Sequence, residues 1–172
     1  MLAAYGDDAY NIVLTLHILC AIIGFGAVFL NALYGQQAKS RRGAEGLAIS
    51  EANELVSKVG EFFIVAVFFL GLALVLMSGD AIEFGQTWVW LSITVFVLAF
   101  ATSIGLMAPR ARRMIDLQRE LVESGPPPAG ASGPPPQLLE MERVGKQMGI
   151  IGPLLNLALV VILCLMVFKP GF

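Results

Sequence analysis

The chain has 172 residues, 57% of them hydrophobic and only 14% charged, with a formal net charge of −2 at pH 7. A soluble domain carries about 25% charged residues, so a water-exposed globular exterior is excluded. A weakly acidic chain with no basic stripe also gives no support to nucleic-acid binding.

The placement of charge says more than its sum. Every Lys and Arg except Lys169 falls in two segments, Lys39 to Lys58 and Arg110 to Lys146. Around them lie four apolar stretches, at about 10–33, 60–78, 87–108 and 148–168. A bilayer core about 30 Å thick is crossed by about 20 apolar residues in a helix. The pattern predicts an all-α polytopic membrane protein: a four-helix transmembrane antiparallel bundle forming one membrane domain over 1–172, with helices extended into the cytoplasm. The positive-inside rule puts the basic loops 35–59 and 109–147 in the cytoplasm and both termini outside. With no basic leader before it, the first run reads as a permanent span rather than a removable signal.

In chain order, Asp7 and Asp8 suit the N-terminus of the first helix, because they oppose the positive end of its dipole. Tyr5, Tyr10 and Tyr34 fit aromatic belts at its two ends, and Gly35 is expected to break it. In the following loop Ser50 can cap a short amphipathic helix with Glu51 in its first turn. Ile49, Ala52, Leu55, Val56 and Val59 recur at helical spacing, so this helix should run into the second span, with Glu61 at the interface.

The short connection from Gly79 to Gln86 forces an antiparallel hairpin, and Trp88 and Trp90 stand at belt depth just beyond it. The third span is expected to end near Pro109, while its pattern continues outward. Met114, Leu117 and Leu121 form an apolar stripe, and Arg112 with Asp116 and Arg119 with Glu123 have i,i+4 spacing for ion pairs. The Pro-rich stretch 124–136 reads as a flexible connector, with docking of a proline-binding partner as the alternative. From Gln137 the helical pattern resumes, and Gly149, Gly152 and Pro153 mark entry into the fourth span.

His17 is the single histidine, inside the first span, where ionisable groups usually face the bundle interior. Tyr10, Leu14, His17, Cys20, Gly24, Ala27 and Asn31 form a stripe of polar and small residues, the face along which this helix should pack. His17 is a candidate haem or metal ligand, with Cys20 one turn away as the other candidate. The competing reading is a neutral imidazole bonded within the packed core. Cys20 and Cys164 lie at different depths and are expected to be buried free thiols. Asn31 and Asn156 are expected to bond across the bundle, and Ser92, Thr94, Thr102 and Ser103 to bond their own helix. Arg110, Arg112 and Arg113 are candidates for lipid headgroup contact. No nucleophile with a base, zinc spacing, phosphate loop or inverted repeat is present, so catalysis and transport find little apparatus.

The segment Leu16–Gly26, with its histidine, apolar turn and glycine, resembles the opening of a family of small bacterial predicted integral membrane proteins, domain of unknown function 2269. Trp88–Ser92 and Ala108–Met114 resemble that family's third helix and its exit. The opening is more distantly similar to copper-resistance D-type proteins and to the membrane protoporphyrinogen oxidases. The oxidase likeness would make His17 a haem b ligand. The family resemblance implies the bacterial cytoplasmic (inner) membrane. The expected role is a non-enzymatic subunit or assembly protein, acting with other membrane proteins or as a homo-oligomer. The alternative is a small haem b or copper protein centred on His17.

Overall fold

The computed structural model describes residues 6–41, 43–125 and 133–171. Tyr5, Arg42 and most of the Pro-rich connector lie outside the described residues. Those described form helices without strands: α1 (Asp8–Ser40), α2 (Ala44–Met77), α3 (Thr87–Thr102), a π-helical turn (Ser103–Met107), α4 (Ala108–Ser124) and α5 (Pro136–Phe168). α3, the π-turn and α4 form one rod over Thr87–Ser124, so four long helices are apolar enough to cross a membrane.

Two boundaries differ from the sequence reading. Gly35 does not break α1, which runs on to Ser40. A glycine costs a helix interior about 1 kcal/mol, and here good helix formers follow it while Ala38 is buried against the neighbouring helix. The basic loop expected over 35–59 therefore shrinks to the few residues around Arg41 and Gly43. Gly43 makes this turn at φ +72°. Ser50 is not a cap, because α2 already begins at Ala44 with Gly43 as its N-cap.

At Pro109 the rod continues as its pattern predicts, and what the sequence did not show is the π-turn that lets it do so. Proline has no N–H to donate, and its ring crowds the carbonyl four residues back. The π-turn widens the helix just ahead of the ring, with the Ala108 N–H reaching back to Ser103 O. Such local adjustment is how a proline is accommodated in a membrane helix.

The rods pair as two antiparallel hairpins. In the first, α1 and α2 approach through small residues. A Cβ added to Gly24 would lie 2.9 Å from Ile64 Cγ1, and one added to Gly60 would lie 2.6 Å from Ala27 Cβ. At the turn, Gly46 packs under the carbonyls of Arg41 and Ala38. In the second hairpin α3–α4 packs on α5 with methionines over glycines, Met107 against Gly152 and Met114 against Gly145. These pairs recur at seven-residue spacing on both helices, the period of a coiled-coil seam.

Two apolar clusters join the hairpins. Phe25, Val67 and Leu159 bring α1, α2 and α5 together, with Cys20, Ala21, Val28 and Ile64 around them. Ile82, Trp88 and Val89 meet Val75, Ile93 and Met166 near the connection from α2 to α3. Between them Phe68 of α2 stacks on Phe96 of α3 at 5.1 Å. Elsewhere the spans present bare apolar side chains such as Ile22, Phe69, Leu98 and Val167, as helices that face lipid do.

Candidate functional site

The stripe on α1 is the face that meets α2. Tyr10 and Gly24 are buried, and Leu14, His17, Cys20, Ala27 and Asn31 are half-buried. His17 sits against Gly71, where an added Cβ would lie 3.2 Å from its Cε1 and 3.6 Å from Nδ1. The imidazole approaches the Val67 backbone, yet Nδ1 is buried with no hydrogen-bond partner. α2 thus closes off the Nδ1 edge, and an incoming ligand would have to take Nε2. Cys20, a turn further along, packs into the Phe25–Val67–Leu159 cluster as a small hydrophobe rather than beside the imidazole. Among the described residues no three His, Cys, Asp or Glu side chains group as a metal cage.

Further along the seam, Ser57 donates to Asn31 Oδ1 at 3.0 Å, the expected bond across the bundle. Asn156 does not match it, since its Oδ1 is buried without a partner. Thr94 bonds its own helix at Trp90 O, whereas Ser92 is buried with its hydroxyl unpartnered. Between His17 and Asn31 the seam holds Gly24, Ala27, Gly60 and Ile64 in direct contact. That dry stretch interrupts any continuous polar path along it.

Several placements depart from expectation. Cys20 and Cys164 are free thiols, as expected, but Cys164 is exposed rather than buried. Tyr10 and Trp88 are 5% exposed and belong to the packed interior, while Trp90 is 49% exposed and suits a belt. The Trp88 indole N–H donates to Gln86 Oε1 at 3.1 Å, and Lys169 Nζ stands 5.4 Å from the ring centre. Belt composition alone does not say which of two neighbouring tryptophans points inward.

The charged end of the bundle is more connected than the spacing suggested. Arg113 grips Glu140 of α5 through two bonds, Nε to Oε1 at 2.9 Å and Nη2 to Oε2 at 2.8 Å, and also reaches Glu120. Arg119 does not ion-pair with Glu123; it crosses to Glu51 of α2 at 2.8 Å and leans on Asp116 at 3.7 Å. Arg112 forms no ion pair with Asp116 among the described contacts and remains exposed. Arg110 donates through Nε to Gln147 Oε1 at 2.8 Å and through Nη1 to Leu106 O at 2.7 Å. Of the three candidate headgroup residues, then, two are engaged inside the protein and Arg112 faces outward. The hydrogen bond from Arg113 holds the Glu140 carboxyl below the usual carboxylate range, and that from Lys146 does the same for Glu142.

The apolar stripe on α4 is confirmed at Leu117, which is 0% exposed, and is joined by Ile115 at 6%. Sequence reasoning missed Glu51, Glu140 and Gln147 as cross-helix partners, because spacing along one helix is blind to its neighbours. It also missed Gly60 and Gly71, although small residues on α2 facing a small-residue stripe were an available signal.

The profile of one family, described as predicted integral membrane protein (DUF2269), matches residues 11–170. The chain belongs to this family. No curated protein and no solved structure matches it.

Proposed function

We propose that this family member is a non-enzymatic subunit or assembly protein of a bacterial cytoplasmic membrane, with its charged end in the cytoplasm and both termini outside. The supporting observation lies on the charged arms, beyond the apolar spans. Leu55 of α2, Val122 of α4 and Leu138 and Leu139 of α5 are exposed there among ionic side chains. The contact of Met114 with Gly145 sets a register that brings Val122 and Leu138 to the same tip of the α4–α5 pair. Contiguous apolar area left exposed to water marks a surface that meets other proteins, and these side chains are the ones such a surface on the arms would use.

The mass of the complex extracted from its native membrane, compared for wild type and Leu138→Glu/Leu139→Glu, tests this role. A larger assembly that falls to the monomer in the variant supports it. A monomer in both contradicts it. Orientation is tested by labelling single cysteines placed at Arg112 or Arg41; reaction with an impermeant reagent from outside intact cells would overturn it.

The second reading is a haem b or copper site on His17, for which Nε2 is the nitrogen that Gly71 does not cover. A reduced-minus-oxidised spectrum with metal analysis separates the two. A band or stoichiometric metal lost in His17→Ala would establish the cofactor reading. A featureless spectrum without metal leaves His17 as a packing residue.

A further inference from the structure

The π-turn coincides in depth with a second weak point on the facing helix. Met107 closes the turn and packs on Gly152, which is followed by Pro153 inside α5. Gly105 within the turn and Gly149 on α5 have nothing within 4 Å of an added Cβ. Both rods of the second hairpin thus carry a helix irregularity at one level, where π-turns and prolines permit bending. On the facing side α2 runs unbroken past this level, from Ala44 to Met77.

Two polar connections bridge this level or lie beyond it. From the α4 side Arg110 reaches back across the weak point to Leu106 O, and its guanidinium is also held by Gln147 of α5. Arg119 ties α4 to Glu51 on the uninterrupted helix. Beyond the turn, α4 and the charged half of α5 are held to each other by the double bond of Arg113 to Glu140 and by Met114 on Gly145.

We propose that α4 and residues 136–148 of α5 pivot as one unit about the Met107–Gly152 level, with the Arg110 bond back to Leu106 O as the latch and the Arg119–Glu51 pair as the clasp against α2. The pivot alters the separation of the α4–α5 arm from α2 while the membrane-spanning halves stay packed. The clasp is an exposed ion pair, which salt screens, so it closes the arm reversibly.

Electron–electron resonance distances test this in lipid nanodiscs. Spin labels go on cysteines replacing exposed Leu55 of α2 and Glu123 of α4, with Cys20→Ala and Cys164→Ala removing the native thiols. The parent should give one narrow distance. Arg110→Gln should add a second, longer population, and Glu51→Arg should do the same. In the Arg110→Gln background, Pro109→Ala should diminish that population. If Arg110→Gln does not yield folded protein, Arg110→Lys, which keeps the charge but not the two-nitrogen bonding to Leu106 O and Gln147, should read alike. An unchanged single distance in the latch variant that folds overturns the proposal, as does a parent already divided between two distances that latch removal leaves unaltered.

Discussion

The two hairpins of this bundle are held by different means. In the first, glycine and alanine let backbones touch, the Ser57–Asn31 hydrogen bond links the helices, and α2 runs without interruption. In the second, flexible methionines fill the hollows over Gly145 and Gly152, the rods carry a π-turn and Pro153, and charged side chains bind the ends. Backbone contact has no slack, because packed interiors leave no room for an added atom. Methionine and exposed ion pairs can both rearrange. The contrast suggests a fixed half and an adaptable half within one small membrane protein.

The largest expected effect falls on the fixed half. Gly60→Ala must drive α2 from Ala27, whose Cβ would lie 2.6 Å from the new one, and overpacking costs about 1–3 kcal/mol; the thermal midpoint in detergent should fall by several degrees. The equivalent change on the adaptable half should behave oppositely. Cβ atoms at Gly145 and Gly152 would meet only methionine methyls at ordinary distances, 3.7 and 3.5 Å. Gly145→Ala should therefore retain stability or gain up to about 1 kcal/mol of helix propensity. If both glycines proved equally intolerant, the contrast between the hairpins would fail.

A smaller effect is expected at Asn31→Leu, which removes the bond to Ser57; interhelical bonds of this kind average about 0.6 kcal/mol. Asn156→Leu removes an acceptor that has no partner and should be neutral or stabilising in the same assay.

The smallest effect concerns pH. Glu140 and Glu142 have folded-state pKa values below the ordinary carboxylate value because Arg113 and Lys146 bond their ionised forms. A depressed carboxyl contributes stability above its unfolded pKa and loses it as pH falls through the lower folded value. Acidification below about pH 4.5, the ordinary glutamate value, should therefore loosen the α4–α5 arm first. Proteolysis at the arm tip should increase there, while the α1–α2 seam stays resistant. Both carboxylates are solvent-exposed, so the change should be slight and weaker still in high salt.

Much of this architecture was legible from the chain. Charge-free runs and basic flanks specify four spans, since bilayer thickness fixes helix length and no unpaired backbone survives in lipid. The α1 stripe was readable because small residues at helical spacing serve close contact. Local punctuation misled at Gly35 and Ser50, where packing around Ala38 and the turn at Gly43 override a single residue's preference. The candidate site was less legible. Sequence placed His17 on the packing face, but that Gly71 would cover its Nδ1 edge depends on the register between α1 and α2. The pairing of Arg119 with Glu51, 68 positions apart, likewise follows from how the hairpins dock.

Amide hydrogen exchange in lipid nanodiscs compares the two halves most directly, because Asn31 and Ser57 lie near the same end of the spans as the π-turn. Residues 103–110 should exchange markedly faster than 27–33 and 57–64. Equal protection of the three segments, or faster exchange in the α1–α2 seam, would contradict the division into a fixed and an adaptable hairpin.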